Sequence, residues 1–157
     1  MIEQIYTFFT MEMIFLWLNL GVLPFWLILV VFPQSQICRV FTVSIFPIFV
    51  LSLAYGYLVY MVFKEGYDFL NNFELYLGLK SISNLFLNPS FLILFWVHFL
   101  SINLFCGGWM VKDSQKFEIN KFMMSFPLLI TYLIGPIGLT LYWIIRLFYA
   151  KRISLYD

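Results

Sequence analysis

Four long apolar runs constrain this chain more than any other feature of its sequence. They cover roughly residues 13–32, 40–63, 91–111 and 122–147. A helix needs about 20 apolar residues to cross the hydrocarbon core of a membrane. Inside hydrocarbon a helix also satisfies its own backbone hydrogen bonds. The runs therefore predict four transmembrane helices, packed as an all-α four-helix bundle in one membrane domain over residues 1–157.

The composition excludes most other classes of protein. Hydrophobic residues make up 63% of the chain and charged residues 11%, against about 45–50% and about 25% in a soluble domain. A net charge of +1 provides no basic patch to neutralise the phosphates of a nucleic acid. Cys38, Cys106 and the single histidine His98 are too few for a four-ligand zinc site. We therefore expect membrane lipid as a partner, with no nucleic acid, no metal and no cofactor.

The segment between the second and third runs is too polar to cross a membrane. Apolar residues nevertheless recur within it at spacings of four, three and four, at Leu75, Leu79, Ile82 and Phe86. Such spacing is typical of one face of a helix. It predicts a short interfacial helix over about residues 74–87, and a solvated loop is the alternative.

The distribution of basic residues does not determine the orientation of a four-crossing chain. Both termini would then share one side of the membrane with the middle loop. That side would carry Lys64, Lys80, Arg146, Lys151 and Arg152. The opposite side would carry Arg39, Lys112, Lys116 and Lys121. Five cations against four is too small a bias to set the topology.

Polar residues within the third run are the first candidates for function. His98 lies about seven residues, or roughly 10 Å, into that run. A polar ring at this depth needs a hydrogen bond or a cavity. We therefore expect His98 to face other helices, with Asn103 or fourth-run groups near Thr131 within reach. His98 is then either an acid/base group or, with Asn103, an interhelical hydrogen-bonding group.

Two further features interrupt the apolar pattern. Asp113 ends the third run beside Lys112, where it is either a functional carboxylate or a solvated one. Gly135-Pro136-Ile137-Gly138 lies inside the fourth run and breaks the helical hydrogen-bond ladder. The break frees a backbone carbonyl near Thr131 for a neighbour or a ligand. A packed kink is the alternative.

These segments together resemble a known family. Trp96-Val97-His98-Phe99-Leu100, followed by Asn103-Leu104-Phe105, Gly107-Gly108-Trp109 and Asp113, is similar to the W-x-H-x-L…D-L-F-x-G-x-W…D signature of the abscisic-acid-deficient-four-like family. Leu23-Pro24-Phe25-Trp26, residues 127–131 and residues 135–139 also fit, in order, over roughly residues 14–150. The family consists of small four-helix membrane proteins, and its plant members are required to make neoxanthin from violaxanthin. Asn103 departs from the usual Asp, and an amide cannot transfer a proton as a carboxylic acid does.

The resemblance implies an enzyme that binds a carotenoid or related isoprenoid and isomerises its polar end group. His98 and Asp113 would then be catalytic. The substrate-binding residues would be Asn103, Trp26, Trp96, Trp109 and Thr131. The alternative is a non-catalytic lipid- or pigment-binding protein, as a homo-oligomer or as the partner of a larger enzyme. A transporter would need more intramembrane charge. Without a positively charged leader or a plastid-type segment before the first run, we expect a bacterial cytoplasmic membrane.

Overall fold

Helices make up the regular structure of the chain. The computed structural model describes residues 10–68, 73, 76, 78–151, 153 and 154. Its helices are α1 (Met11–Val31), α2 (Phe46–Lys64), α3 (Leu79–Leu85), α4 (Pro89–Lys116), α5 (Lys121–Leu133) and α6 (Gly135–Ala150), with a π-helical turn at Cys38–Thr42. Within the described part there is no strand, so the all-α prediction is confirmed there.

Three regions are long and apolar enough to cross a membrane within the residues described. They are α1, the stretch Cys38–Lys64 that joins the π-helical turn to α2, and α4. The start of α4 follows from its sequence. Pro89 occupies its first turn, and the Asn88 Oδ1 atom accepts hydrogen bonds from the backbone N–H groups of Ser90 (2.9 Å) and Phe91 (3.3 Å).

The second predicted run is interrupted near its start. The π-helical turn ends at Thr42, and α2 begins only at Phe46. Between them, Ser44 Oγ accepts a hydrogen bond of 3.2 Å from the backbone N–H of Phe46. A serine side chain that satisfies a first-turn N–H favours the start of a new helix.

The fourth predicted run, 122–147, departs most from expectation, because it forms two helices that run antiparallel. The backbone turns at Ile134 (φ −142°, ψ 80°), and Pro136 opens α6. Near the far ends of the two helices, Tyr149 Oη donates to Met123 Sδ at 3.0 Å. A Cβ atom on Gly138 would overlap the backbone of Thr131, so only glycine permits this approach. The break in the sequence is confirmed, but the chain reverses there instead of continuing.

The lengths of α5 and α6 matter for the membrane. Their 13 and 16 residues correspond to about 20 Å and about 24 Å, less than the roughly 30 Å of a hydrocarbon core. The structure does not have one continuous helix over residues 122–147, and a four-helix membrane bundle is not confirmed. We call this pair of helices the α5–α6 hairpin.

The predicted interfacial helix is present in part. Residues Leu79–Leu85 form α3, none of them buried. This excludes a loop over that stretch, while residues 74, 75 and 77 lie outside the described residues.

The chain divides into two compact units. Unit 1 comprises Met1–Leu20 and Val50–Phe99, and unit 2 comprises Gly21–Phe49 and Leu100–Asp157. Unit 1 has an apolar core formed by Leu58, Ile93, Leu94 and Val97. The prediction of a single domain stays a prediction.

Two hydrogen bonds in unit 2 bring three helix ends together. Gln115 Nε2, at the end of α4, donates to the Pro33 carbonyl at 2.7 Å, just after α1. Ser125 Oγ, in the first turns of α5, donates to the Val30 carbonyl at 2.9 Å. The ends of α1 and α4 therefore lie beside the start of α5.

Candidate functional site

A buried cluster of charged and hydroxyl groups lies near the end of α4. The Asp113 Oδ2 atom accepts a hydrogen bond from Tyr142 Oη (2.5 Å) and another from Arg146 Nε (2.6 Å). Tyr142 and Arg146 are one turn apart on α6, so both face Asp113. Asp113, Tyr142 and Arg146 are all buried. The expectation of a solvated Asp113 carboxylate is therefore wrong, and we call these three residues the Asp113 cluster.

Further contacts fix the arginine. The Arg146 guanidinium carbon lies 4.8 Å from the centroid of the Phe117 ring, and Arg146 Nη2 donates to the Ser154 carbonyl at 3.0 Å. An ion pair out of water is stabilising only when further groups satisfy its remaining donors. Arg146 meets this condition through the backbone and an aromatic face.

The Asp113 cluster supports one wall of a cleft. The Trp109 ring meets the Tyr142 ring edge-on, with centroids 5.6 Å apart and an interplanar angle of 88°. Trp109 also lines a cavity of about 350 Å³. The other residues of its lining belong to α4 and to the stretch from Thr42 to the start of α2. We call it the Trp109 cleft.

The Trp109 cleft is apolar with a few polar groups. Its polar side chains are Thr42, Ser44 and Lys112. The Thr42 Oγ1 atom is buried without a hydrogen-bond partner among the described residues, and the Lys112 side chain is exposed. Ligand sites typically combine apolar walls with a small number of such polar groups.

The tip of the α5–α6 hairpin reaches Asn103, deep along α4. A Cβ atom on Gly135 would overlap the Asn103 amide. The Asn103 side chain is buried, and its Nδ2 atom has no partner in the part of the chain that the structure describes. Thr131 Oγ1 instead bonds within its own helix, to the Pro127 carbonyl at 2.8 Å.

Trp26 is enclosed in unit 2. Its ring lies 5.4 Å from that of Tyr132, measured between centroids. A Cβ atom on Gly107 would come within 2.9 Å of the Trp26 ring, so glycine makes this packing possible. The Trp26 Nε1 atom is buried and has no partner among the described atoms.

His98 and Trp96 belong to unit 1. The His98 side chain is exposed, and its ring centroid lies 6.3 Å from that of Tyr55. The prediction that other helices of this chain enclose His98 is therefore wrong, although its role as a site residue stays a prediction. Trp96 Nε1 donates to Asn19 Oδ1 at 3.2 Å.

The seven predicted site residues are divided between the two units. His98 and Trp96 lie in unit 1, while Asn103, Trp26, Trp109, Thr131 and Asp113 lie in unit 2. Within unit 2, Trp109 and Asp113 are joined through Tyr142. Sequence reasoning missed Tyr142, Arg146 and Thr42. The signal for two of them was a cation inside an apolar run, with a tyrosine four residues before it.

Three helical regions that are long and apolar enough to cross a membrane are typical of a helical membrane protein, and they define the class of this chain. The chain belongs to the ABA4-like family. The family's sequence model, described as ABA DEFICIENT 4-like, matches residues 13–142. The match covers most of the chain and ends before Arg146. No curated protein and no solved structure matches the chain.

Proposed function

We propose that this protein binds a carotenoid or a related isoprenoid in the Trp109 cleft and isomerises its polar end group. The observation that carries the proposal is the cleft itself. It combines a cavity of about 350 Å³, a wall formed by Trp109, and the buried Thr42 hydroxyl, which has no hydrogen-bond partner among the described residues. Family membership supports the substrate class, because plant members act in neoxanthin synthesis. The location that we propose is a bacterial cytoplasmic membrane.

The cleft suits the two parts of such a ligand differently. The Trp109 ring offers a flat apolar face to a polyene, and Tyr142 holds that ring in position. Thr42 and Lys112 can donate hydrogen bonds to an oxygen on the end group. Opening an epoxide to an allenic alcohol also requires a base at an adjacent carbon. Imidazole is the type of side chain that can serve both proton transfers, and His98 is the one histidine of the sequence.

A non-catalytic role is the second candidate, and two observations favour it. Asp113 is engaged by Tyr142 and Arg146, and His98 is not among the residues that line the cleft. Under this alternative, the protein binds lipid or pigment, or partners a larger enzyme, and the exposed His98 face is available to another subunit.

Occupancy of the cleft is tested with glycine substitutions. A side chain added at Gly108 meets no other atom within 4 Å, although Gly108 lines the cleft. Gly108→Leu should therefore fill the cleft without straining the helix. Gly56→Leu is the matched control, because Gly56 also has open space and lies on α2 outside the cleft lining. The measurement is the carotenoid retained per protein after purification from a carotenoid-producing host.

We expect Gly108→Leu to lose the bound pigment and Gly56→Leu to keep it, with both proteins equally abundant. Equal retention by both variants would contradict binding in this cleft. Catalysis is tested separately with His98→Ala and His98→Gln. An acid/base role predicts about 10²–10⁴-fold less product per membrane-inserted protein for both variants. Unchanged product in both would leave binding without proton transfer by His98.

A further inference from the structure

Because α5 and α6 form a hairpin, charged residues near the end of α6 lie at the same end of unit 2 as charged residues near the end of α4. Asp113 lies three residues before the end of α4, and its partner Arg146 lies four residues before the end of α6. The two helices therefore finish at the same end. The chain at Lys151 returns to this end, whereas a single fourth span would place it on the opposite side.

This end of unit 2 is strongly basic. Its exposed cations are Arg39, Lys112, Lys116, Lys121 and Lys151. Glu118 is the exposed carboxylate among the residues described there, and the Asp113 carboxylate is neutralised by Arg146. Unit 1, in contrast, contributes Lys64 and Lys80 in its described part. We call the five cations the basic end.

A basic loop region beside apolar helices indicates the cytoplasmic side of a membrane. The surface of the cytoplasmic leaflet carries a negative potential, which attracts Lys and Arg within a Debye length. Since α5 and α6 are each shorter than the hydrocarbon core, the hairpin can enter the membrane from this side and return to it. At its tip, Gly135 is buried against the Asn103 side chain of α4, and irregular backbone at membrane depth requires such a contact with protein.

We propose that the basic end binds the anionic phospholipid headgroups of the cytoplasmic leaflet, with the α5–α6 hairpin re-entering the membrane from that leaflet without crossing it. The N-terminal end of α1 then lies on the opposite side, and three helices cross. Charge complementarity selects this partner. Each cation near such a surface contributes about a fivefold preference for the anionic lipid.

The topology is tested by labelling single introduced cysteines with a membrane-impermeant maleimide, in intact cells and in inverted vesicles. The native Cys38 is buried and Cys106 is half-buried, so the parent protein provides the background signal. The positions are Thr10, Gln36 and Ser154, all exposed. We expect Gln36→Cys and Ser154→Cys to label from the cytoplasmic side, and Thr10→Cys from the other side. Opposite sides for Gln36 and Ser154 would overturn the hairpin, and a shared non-cytoplasmic side would overturn the docking.

The lipid is tested with detergent-purified protein exchanged into mixed phosphatidylcholine and phosphatidylglycerol, followed by mass spectrometry of the retained lipid. We expect the parent to enrich phosphatidylglycerol over its bulk fraction. The variant Lys116→Gln, Lys121→Gln, Lys151→Gln should lose most of this enrichment, up to about fivefold per cation. Lys64→Gln with Lys80→Gln is the matched control and should retain it. Equal enrichment in both variants, or none in the parent, would overturn the proposal.

Discussion

The two units of this protein bury different kinds of side chain. Unit 1 packs apolar side chains around Leu58 and Val97, and its polar contacts include the hydrogen bond from Trp96 to Asn19. Unit 2 buries a carboxylate, a guanidinium and a phenol together. Of the buried polar and charged residues in the described part of the chain, all but Ser90 lie in unit 2.

The difference indicates which contacts of this chain specify a single packing arrangement. Dispersion between apolar side chains tolerates many arrangements, because one branched residue replaces another at small cost. A buried ion pair tolerates few, because each partner is costly without the other. The groups that fix Trp109, and with it the cleft, are therefore the groups least able to change independently.

Loss of the Asp113 carboxylate should have the largest effect on stability. Asp113→Ala leaves the buried Arg146 guanidinium without the carboxylate that neutralises it, which costs about 3–5 kcal/mol. In unit 1, Glu65→Ala removes a carboxylate that accepts one hydrogen bond of 3.0 Å from Ser90 Oγ, at a cost of about 1 kcal/mol. The free energy of unfolding in detergent, followed by tryptophan fluorescence, measures both.

A double variant separates charge from packing in the same comparison. Asp113→Leu with Arg146→Met replaces the buried pair with apolar groups and should recover most of the lost stability. If Asp113→Ala unfolds no more easily than Glu65→Ala, the contrast between the two units does not rest on the buried ion pair.

The hairpin turn provides the second comparison. In Gly138→Ala, the new Cβ atom overlaps the backbone of Thr131, and we expect a loss of about 1–3 kcal/mol. Gly56→Ala on α2 meets nothing within 4 Å and should gain up to about 1 kcal/mol from helix propensity. The same unfolding assay applies. A neutral Gly138→Ala would mean that α5 and α6 do not pack as closely as this contact requires.

The smallest effect is expected in unit 1. Trp96→Phe keeps the aromatic contacts with Phe15 and Phe99 and removes the 3.2 Å hydrogen bond to Asn19. Such a bond between membrane helices contributes about 0.6 kcal/mol. Trp143→Phe, at an exposed position of α6, controls for the loss of one fluorophore. A loss approaching that of Asp113→Ala would show that polar contacts are as decisive in unit 1 as in unit 2.

Most helices could be predicted from the sequence, whereas the path of the chain after Ile134 could not. Gly135, Pro136 and Gly138 predict a break in the helix. Proline has no backbone N–H to donate, and glycine has no side chain to restrict its backbone angles. Whether the chain then bends or reverses depends on contacts 29 and 33 residues away, between Asp113 and the pair Tyr142 and Arg146.

The environment of His98 was beyond prediction for a different reason. Its depth along α4 follows from counting residues, but the direction of the side chain depends on which face of the helix the neighbouring segments cover. The helix is apolar nearly all round, so the pattern does not mark a covered face. Val97 is buried and His98 beside it is exposed.

The half-length helices of the α5–α6 hairpin have a consequence for biogenesis. Each helix is shorter than the hydrocarbon core is thick, so neither presents the insertion machinery with an apolar helix of full spanning length. The hairpin must wait until α4 is in place, when the Asn103 amide and the Asp113 carboxylate can receive its tip and its arginine. Because the hairpin follows α4 in the chain, unit 2 cannot be complete before the hairpin has been synthesised and has packed against α4.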